Sequence, residues 1–122
     1  MDAVAAATAS APRLYALGSV PDTPDMPYSV YSATLGRGDV LALTGSEGIR
    51  WGQVVVQSFA RETENASDAA EAIRALLVGV QLDITGYSTT PCEQGLDPSI
   101  YRDPDDRGVI GVTQTFTFTA TT

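Results

Sequence analysis

The strongest strand signal in the chain is residues 49–60, IRWGQVVVQSFA. This run is an almost continuous series of β-branched and aromatic residues, which is typical of a central strand covered on both faces. Trp51 falls within it, and we expect its indole in the hydrophobic core. The segments on either side supply the neighbouring strands and one helix.

The clearest helix follows at about residues 67–78. Ser67 is a good N-cap, Asp68 and Glu71 place negative charge in the first turn, and Gly79 suits the C-terminal stop. One face carries apolar residues at the spacing of a buried helix face, namely Ala66, Ala69, Ala70, Ile73, Leu76, Leu77 and Val80. Burying each large side chain is worth roughly 1.5–3 kcal/mol, so we expect this helix to pack against a sheet.

Further strand patterns flank these two elements. Residues 28–35 are strand-like, with apolar residues among Ser and Thr, and the turn residues Gly36-Arg37-Gly38-Asp39 separate them from a return strand at 40–44. Residues 82–85 begin another strand. The chain ends on a clean alternation over residues 110–119, with apolar side chains on one face and threonines on the other. The threonine face is uncharged, so it could pair or pack against another copy.

The order of strands, helix and strands indicates the α+β class with a mainly antiparallel sheet. We expect residues 1–12 to form an alanine-rich arm or short helix and residues 13–122 to form a single domain. Residues 21–27 are a proline-rich extended connector. Residues 86–108 are rich in Pro, Gly, Asp and Ser, which predicts a long irregular loop, and loops of that length usually exist for binding.

Composition excludes most conventional catalytic sites. The 122 residues include no His, one Cys and no Lys, and fifteen acids against seven arginines give a net charge of −8. Without His there is no Ser–His–Asp or Cys–His nucleophile, and Cys92 has no His to activate it. One cysteine cannot build an intrachain disulfide or a multi-cysteine zinc site. We therefore expect no enzyme activity, no cofactor and no metal.

Charge and hydropathy bear on the location. No apolar run of about 18 residues could span a membrane, and the start lacks the basic and apolar regions of a signal peptide. We therefore expect a cytoplasmic protein.

The scattered arginines form no concentrated positive patch, so binding to DNA phosphates is not expected.

The acid cluster DPDDRG at residues 103–108 begins like a calcium-binding loop. Arg107 then stands where a ligand is needed, and Gln114 replaces the final bidentate glutamate, so a calcium loop of the EF-hand type is not expected. Weak binding of a divalent ion across a subunit interface stays open. We interpret the cluster as a solvated loop or as the acidic half of a contact with arginines elsewhere.

Two segments are candidates for contacts with other protein subunits. The tip at residues 36–39 is followed by strand-like residues, so it is no phosphate cradle and presents one arginine instead. The loop at residues 86–108 carries the opposite charge. The candidate contact residues are Arg37, Asp39, Glu93, Asp97, Arg102, Asp103, Asp105, Asp106 and Arg107.

Four stretches carry a resemblance to a known family. They are VPDTPDMPYSVY at 20–31, IRWGQVVVQSF at 49–59, AAEAIRALLVG at 69–79 and GVTQTFTF at 111–118. In this order they resemble the tail terminator, or tail completion, proteins of long-tailed bacteriophages, particularly those of actinobacteria. The resemblance covers about residues 13–119. Family members tend to open with a longer amphipathic helix, whereas residues 1–11 here are a short alanine-rich stretch.

The resemblance implies a small α+β subunit in a homohexameric ring at the head-proximal end of the tail tube. Such a ring ends tube polymerisation and forms the docking surface for head-completion proteins. The implied partners are further copies of the chain, the tail tube protein and a head-completion or connector protein, with DNA passing through the channel without specific binding. The implied location is the virion tail, after assembly in the host cytoplasm.

Two other functions stay open. A neck or head-completion connector would share the composition. A non-viral domain that binds a small ligand would need a pocket, which we would expect beneath Trp51 and Tyr28.

Overall fold

The computed structural model describes residues 13–22, 26–38 and 50–121, without the side chains of residues 37, 96 and 97. Its elements are β1 (Leu14–Ala16), β2 (Tyr28–Gly38), β3 (Arg50–Ala60), α1 (Thr63–Leu77), β4 (Ser88–Thr89), β5 (Glu93–Arg102) and β6 (Ile110–Thr121). The predicted arm at 1–12 and the predicted return strand at 40–44 lie outside the described residues. Among these residues, no helix has the length and hydropathy to cross a bilayer.

All the strands belong to one sheet with the order β1-β2-β3-β6-β4, and β5 also pairs with β6. The pair β1–β2 is parallel, and the other pairs are antiparallel. The predicted α+β class with a mainly antiparallel sheet is therefore confirmed. As the sequence predicted, β3 is central, because it pairs with β2 on one side and with β6 on the other.

The sheet has an inner face, which α1 covers, and an outer face on the opposite side. Even-numbered residues of β3 from 52 to 60 are buried on the inner face, whereas Trp51 and Gln53 on the outer face are exposed. The expectation that β3 is covered on both faces, with Trp51 in the core, is thus wrong. An apolar run cannot by itself distinguish a strand buried on both faces from one covered on a single face.

The core lies between α1 and the inner face. One cluster surrounds Val54, Val56 and Phe116 and includes Ile73 and Leu77 from the helix. A second cluster joins Ala60, Ala66, Ala70, Ile110 and Val112. The small alanines let the first half of α1 lie close to β3 and β6.

The helix is longer at its start than predicted. It begins at Thr63, and Glu62 is an N-cap in extended conformation without a side-chain hydrogen bond. Ser67 therefore lies inside the helix and caps nothing. The additional turn is stabilised by burial of Ala66 and by the hydrogen bond from its N–H to the carbonyl of Glu62. The predicted end of the helix near Gly79 is confirmed, because the helix ends at Leu77 and Gly79 has a φ of +82°.

The predicted loop at 86–108 is wrong over much of its length, because Glu93–Arg102 forms β5. The turn signals that suggested a loop lie at irregularities in the strand, since the register shifts between Gln94 and Leu96 and again between Leu96 and Ser99. Gly95 and Pro98 occupy these shifts, and irregular strands tolerate such residues. The Arg74 Nε donates to the Gln94 Oε1 over 2.9 Å and ties α1 to β5.

Two smaller expectations also fail. Residues 82–85 form no strand, and Leu82 instead packs in the core while its carbonyl accepts a hydrogen bond from the Thr89 hydroxyl. Residues 36–38 belong to β2, where the register shifts between Leu35 and Gly38, so a turn does not begin at Gly36. Asp39 lies outside the described residues.

The alternation of β6 is confirmed. Its apolar positions and Gln114 are buried on the inner face, and its threonines lie on the outer face. Because β6 pairs with β3 on one side and with β4 and β5 on the other, its backbone presents no free edge along the paired positions.

Candidate functional site

The outer face of the sheet is uncharged along its two central strands. In a chain with fifteen acids, this composition marks the face as different from the rest of the surface. Its residues on β3 and β6 are Trp51, Gln53, Val55, Gln57, Phe59, Thr113, Thr115, Thr117 and Thr119. Cross-strand pairs such as Val55 with Thr115 place these side chains side by side.

An aromatic row crosses one end of the outer face. The ring centroids of Tyr15 and Tyr28 are 6.4 Å apart, and those of Tyr28 and Phe59 are 5.1 Å apart. Tyr101 continues the row, with its centroid 6.5 Å from that of Phe59 in an edge-to-face arrangement. Tyr101 lies over Gly111, its partner on β6, where an added Cβ would collide with the phenol ring. The row therefore joins β1, β2, β3 and β5 through side chains.

Burial of Tyr28 changes its acidity. Desolvation raises the pKa of the Tyr28 phenol above its ordinary value, and the nearby carboxylate of Asp103 and the phenol of Tyr101 raise it further. The Tyr28 phenol therefore stays uncharged to a higher pH than an exposed tyrosine does.

Trp51 stands at the opposite end of β3 and is 59% exposed. It is the single tryptophan of the chain. Large aromatic side chains dominate the energetics of protein interfaces when they become buried. Exposure of this indole on an uncharged face makes it a candidate contact residue that the sequence analysis placed in the core.

A groove of about 460 Å³ lies on the other side of the molecule, between α1 and the start of β2. It is lined by Arg13, Pro27, Tyr28, Ser29, Asn65, Asp68, Ala69, Ala72 and Ile73. The Arg13 Nη1 donates to the carbonyl of Met26 over 3.0 Å, which holds the guanidinium at the rim. The pocket expected beneath Trp51 and Tyr28 is thus corrected: Tyr28 lines this groove and Trp51 does not.

The acid cluster at residues 103–108, hereafter the acid turn, is organised by its own hydrogen bonds. The Asp103 Oδ1 accepts from the backbone N–H of Asp105 over 2.9 Å, and the Asp106 Oδ1 accepts from that of Gly108 over 3.0 Å. Two arginines flank the turn. Arg102 donates to the carbonyl of Arg107, and Arg61 lies 4.0 Å from the Asp106 carboxylate in an exposed pair.

These contacts leave the acid turn as an ordered, exposed and negatively charged surface. Among the described residues, no group of three or more acids or cysteines is arranged to hold a metal ion.

The predicted contact residues fall into two places. Glu93 starts β5, whereas Arg102 ends it and leads into the acid turn, so the strand separates them. Asp103, Asp105, Asp106 and Arg107 lie together in that turn. Asp39 and the side chains of Arg37 and Asp97 lie outside the described residues, so the expected pairing of tip and loop is not tested.

Sequence reasoning missed the groove, because its lining comes from three separate stretches of the chain. The available signal was the pair of alanines at positions 69 and 72, which are small residues at helical spacing beside Ile73. Such a pair leaves space beside a helix, but the partner that borders this space cannot be identified without the fold.

Cys92 does not belong to any site. It is 1% exposed and packs in the core, and burial raises the pKa of its thiol. Its backbone holds the end of α1, since the Gly79 N–H donates to the Cys92 carbonyl over 2.8 Å.

Comparison with protein-family profiles and with curated proteins gives no match. A solved structure does match, described as "Virion of native gene transfer agent (GTA) particle". One of its chains superposes with a TM-score of 0.63 at 20% sequence identity, and the match covers 96% of this chain and 83% of that chain. This chain shares the fold of a virion component. The match extends over nearly the whole chain, so the shared fold is that of the complete domain and not of a single motif.

Proposed function

We propose that this chain is a structural protein of a phage-like virion and caps the head-proximal end of the tail tube. The observation that supports a virion role is the fold, which matches a chain of a gene transfer agent virion over 96% of this chain. The capping role is what the resemblance of the sequence to tail terminator proteins implies. In this role the protein ends tube polymerisation and presents the docking surface for head-completion proteins. It acts without catalysis, as a homohexameric ring in the tail, after assembly in the host cytoplasm.

The charge distribution supports association with further copies. Copies of a chain with a net charge of −8 repel one another, and this repulsion is weakest where the contact surfaces carry few acids. The outer face of β3 and β6 satisfies this condition. The acid turn is instead suited to a partner surface that offers arginines.

The excess of acidic over basic residues also suits a channel through which DNA passes. Like-charge repulsion from acids that face the lumen would keep the duplex centred and mobile, whereas arginines there would hold the phosphates. Screening limits this effect to about 8–10 Å at cellular salt, so only acids that line the channel contribute.

A neck or head-completion connector is the closest alternative, since the same fold and charge would serve it. A ligand-binding domain is the second alternative, and the groove between α1 and β2 is the observation that favours it. Its volume of about 460 Å³ is within the range of small-molecule sites.

The proposal is tested by polymerising tail tube subunits in the presence of the purified chain. We expect tubes that become shorter as the proportion of the chain rises, each with the chain at one end, in electron micrographs. An unrelated acidic protein of similar size is the control. A connector or a ligand-binding domain would leave the distribution of tube lengths unchanged, and that result would contradict the proposal.

A further inference from the structure

We propose that Trp51 of one copy docks into the groove between α1 and β2 of the next copy. This inference rests on the proposed function for its premise that copies of the chain associate in a ring. The contact joins the exposed indole on β3 of one copy to the groove of another copy, so the occupant of the groove is a second copy of the chain.

The exposed indole has the properties of an interface anchor. Trp51 leaves 59% of its surface in solvent, and the outward neighbours on its strand are uncharged. Burying it would remove a large apolar area from water, and the residues beside it on the outer face of β3 carry no charge. Tryptophan is among the residues that contribute most to binding at the centre of interfaces.

The groove offers the chemistry that an indole requires. Ala69, Ala72 and Ile73 provide an apolar wall, and the two alanines leave the space that a larger side chain would fill. Asn65 and Asp68 carry oxygen atoms that can accept the hydrogen bond of the indole N–H, which acts only as a donor.

Arg13 adds a cation at the rim of the groove. Its guanidinium is held there by the carbonyls of Met26 and Pro27. A fixed guanidinium can lie against the face of an aromatic ring, and tryptophan is the best partner for this cation–π interaction. The groove therefore combines apolar, acceptor and cationic groups, each of which can contact an indole.

The positions of indole and groove determine the kind of assembly. Trp51 lies near the start of β3 on the outer face, whereas the groove lies beside Ser29, which pairs with Ser58 towards the end of β3. Seven residues of strand separate them by about 23 Å, so the indole of a copy cannot fill its own groove. A contact between two different surfaces is heterologous, and such contacts close into rings when the rotation allows.

The test uses variants that damage one surface at a time. Trp51→Ala removes the anchor, and Ala72→Arg fills the groove with a good helix former on an exposed position of α1. Ala75→Arg is the matched control, because Ala75 is an exposed residue of the same helix outside the groove. Self-association is measured by sedimentation velocity, and circular dichroism establishes that each variant is folded.

We expect Trp51→Ala and Ala72→Arg each to weaken self-association about 30-fold or more, and Ala75→Arg to leave it unchanged. Mixing the two defective variants should give dimers and nothing larger, since each pair retains one intact indole and one intact groove. Because Trp51 is the single tryptophan, its fluorescence should shift to shorter wavelength on assembly of the unmodified chain and not for Ala72→Arg.

Three results would overturn the inference. They are assembly of either defective variant with unmodified affinity, absence of dimers in the mixture, and an unmodified chain that stays monomeric up to about 1 mM. The proposed function is tested separately by tube length. Rings that form through Trp51 but leave tubes uncapped would refute the function alone, and capping without dependence on Trp51 would refute this contact alone.

Discussion

Phe118 lies over Gly52 on the inner face of the sheet, and the two residues are direct partners across the β3–β6 pair. The ring of Phe118 is 5% exposed and belongs to the core cluster beneath α1. An added Cβ at position 52 would overlap three atoms at the far end of the ring. Glycine is therefore required here so that the phenyl ring can lie flat against the strand.

We expect Gly52→Ala to lower the free energy of unfolding by about 1–3 kcal/mol, because the buried ring of Phe118 has no free space to move into. Urea denaturation measures the loss. Gly111→Ala is the comparison on the outer face, where the half-buried Tyr101 can turn towards solvent, so its loss should be smaller. Equal losses at the two glycines would contradict the packing argument.

Gln114 should show a pH-dependent effect. It is 1% exposed, and its Nε2 donates to the carbonyl of Ala70 over 2.8 Å, which ties β6 to α1. Gln114→Glu replaces the donor by a carboxylate facing that carbonyl, so we expect a loss of about 3 kcal/mol at neutral pH. Burial raises the folded-state pKa of the new carboxyl, and the loss should shrink as the pH falls towards about 4, where the protonated carboxyl donates.

The control for this variant is Gln53→Glu, on the exposed side of β3. It should change the free energy of unfolding little at either pH. Both variants are compared with the unmodified chain by urea denaturation at the same pH. A loss for Gln114→Glu that does not depend on pH would show that the hydrogen bond to Ala70 is not its cause.

Cys92 should resist thiol reagents in the folded chain. Its thiol is buried, and desolvation raises its pKa, so little thiolate is present at neutral pH. We expect slow modification by a disulfide reagent in buffer and rapid modification in concentrated urea. Rapid reaction of the folded chain at neutral pH would contradict this placement.

The sign of the pH effect follows from the same shift. A pKa that is higher in the folded than in the unfolded chain means that the folded chain holds its proton longer. The contribution of this shift to the free energy of unfolding is fully present at pH values below the pKa that Cys92 has in the unfolded chain. It is lost as the pH rises through the pKa that Cys92 has in the folded chain. The free energy of unfolding should therefore fall above about pH 8, and Cys92→Ala should reduce this decline.

The acidity of Tyr28 should depend on Asp103. Burial is the main cause of the raised pKa of Tyr28, and the Asp103 carboxylate adds to it. Asp103→Asn should therefore lower the pKa of Tyr28 while leaving it above its ordinary value. Ring NMR signals of Tyr28 followed through an alkaline titration measure this shift, with Asp105→Asn as the control. An unchanged pKa in Asp103→Asn would contradict the proximity of the two groups.

The acid turn should matter for partners and little for folding. Asn at positions 105 and 106 keeps the backbone hydrogen bond at Gly108 and removes two exposed charges. We expect a change of less than about 0.5 kcal/mol in the free energy of unfolding. Binding to a head-completion or tube partner should weaken markedly in a pull-down assay. Unchanged binding to both would exclude the acid turn as a contact surface.

Much of the fold could be predicted where local patterns and tertiary packing agree. In β6 the alternating apolar residues all lie on one face, and Ile73 and Leu77 lie on one face of α1. In both elements that face is the buried one, so the sequence pattern predicts which residues are buried. The central position of β3 was also predicted correctly, from its run of β-branched and aromatic residues, although that run did not show that only one face is buried. In each case the buried residues lie close together in the sequence.

The remaining features depend on contacts between distant segments. The strand β5 contains Gly95 and Pro98, which local rules assign to a loop, and only pairing with β6 makes it a strand. The exposure of Trp51 depends on which face of β3 receives α1, and the run of apolar residues does not encode that choice. The groove likewise needs the start of β2 beside α1.

The central claim is that this chain caps the head-proximal end of the tail tube. The most direct test is to locate it by antibody labelling on isolated tails without heads and on filled heads without tails. Our account predicts label at the head-proximal tip of the tails and none on the heads. Label confined to the portal end of filled heads would contradict it and identify a connector instead.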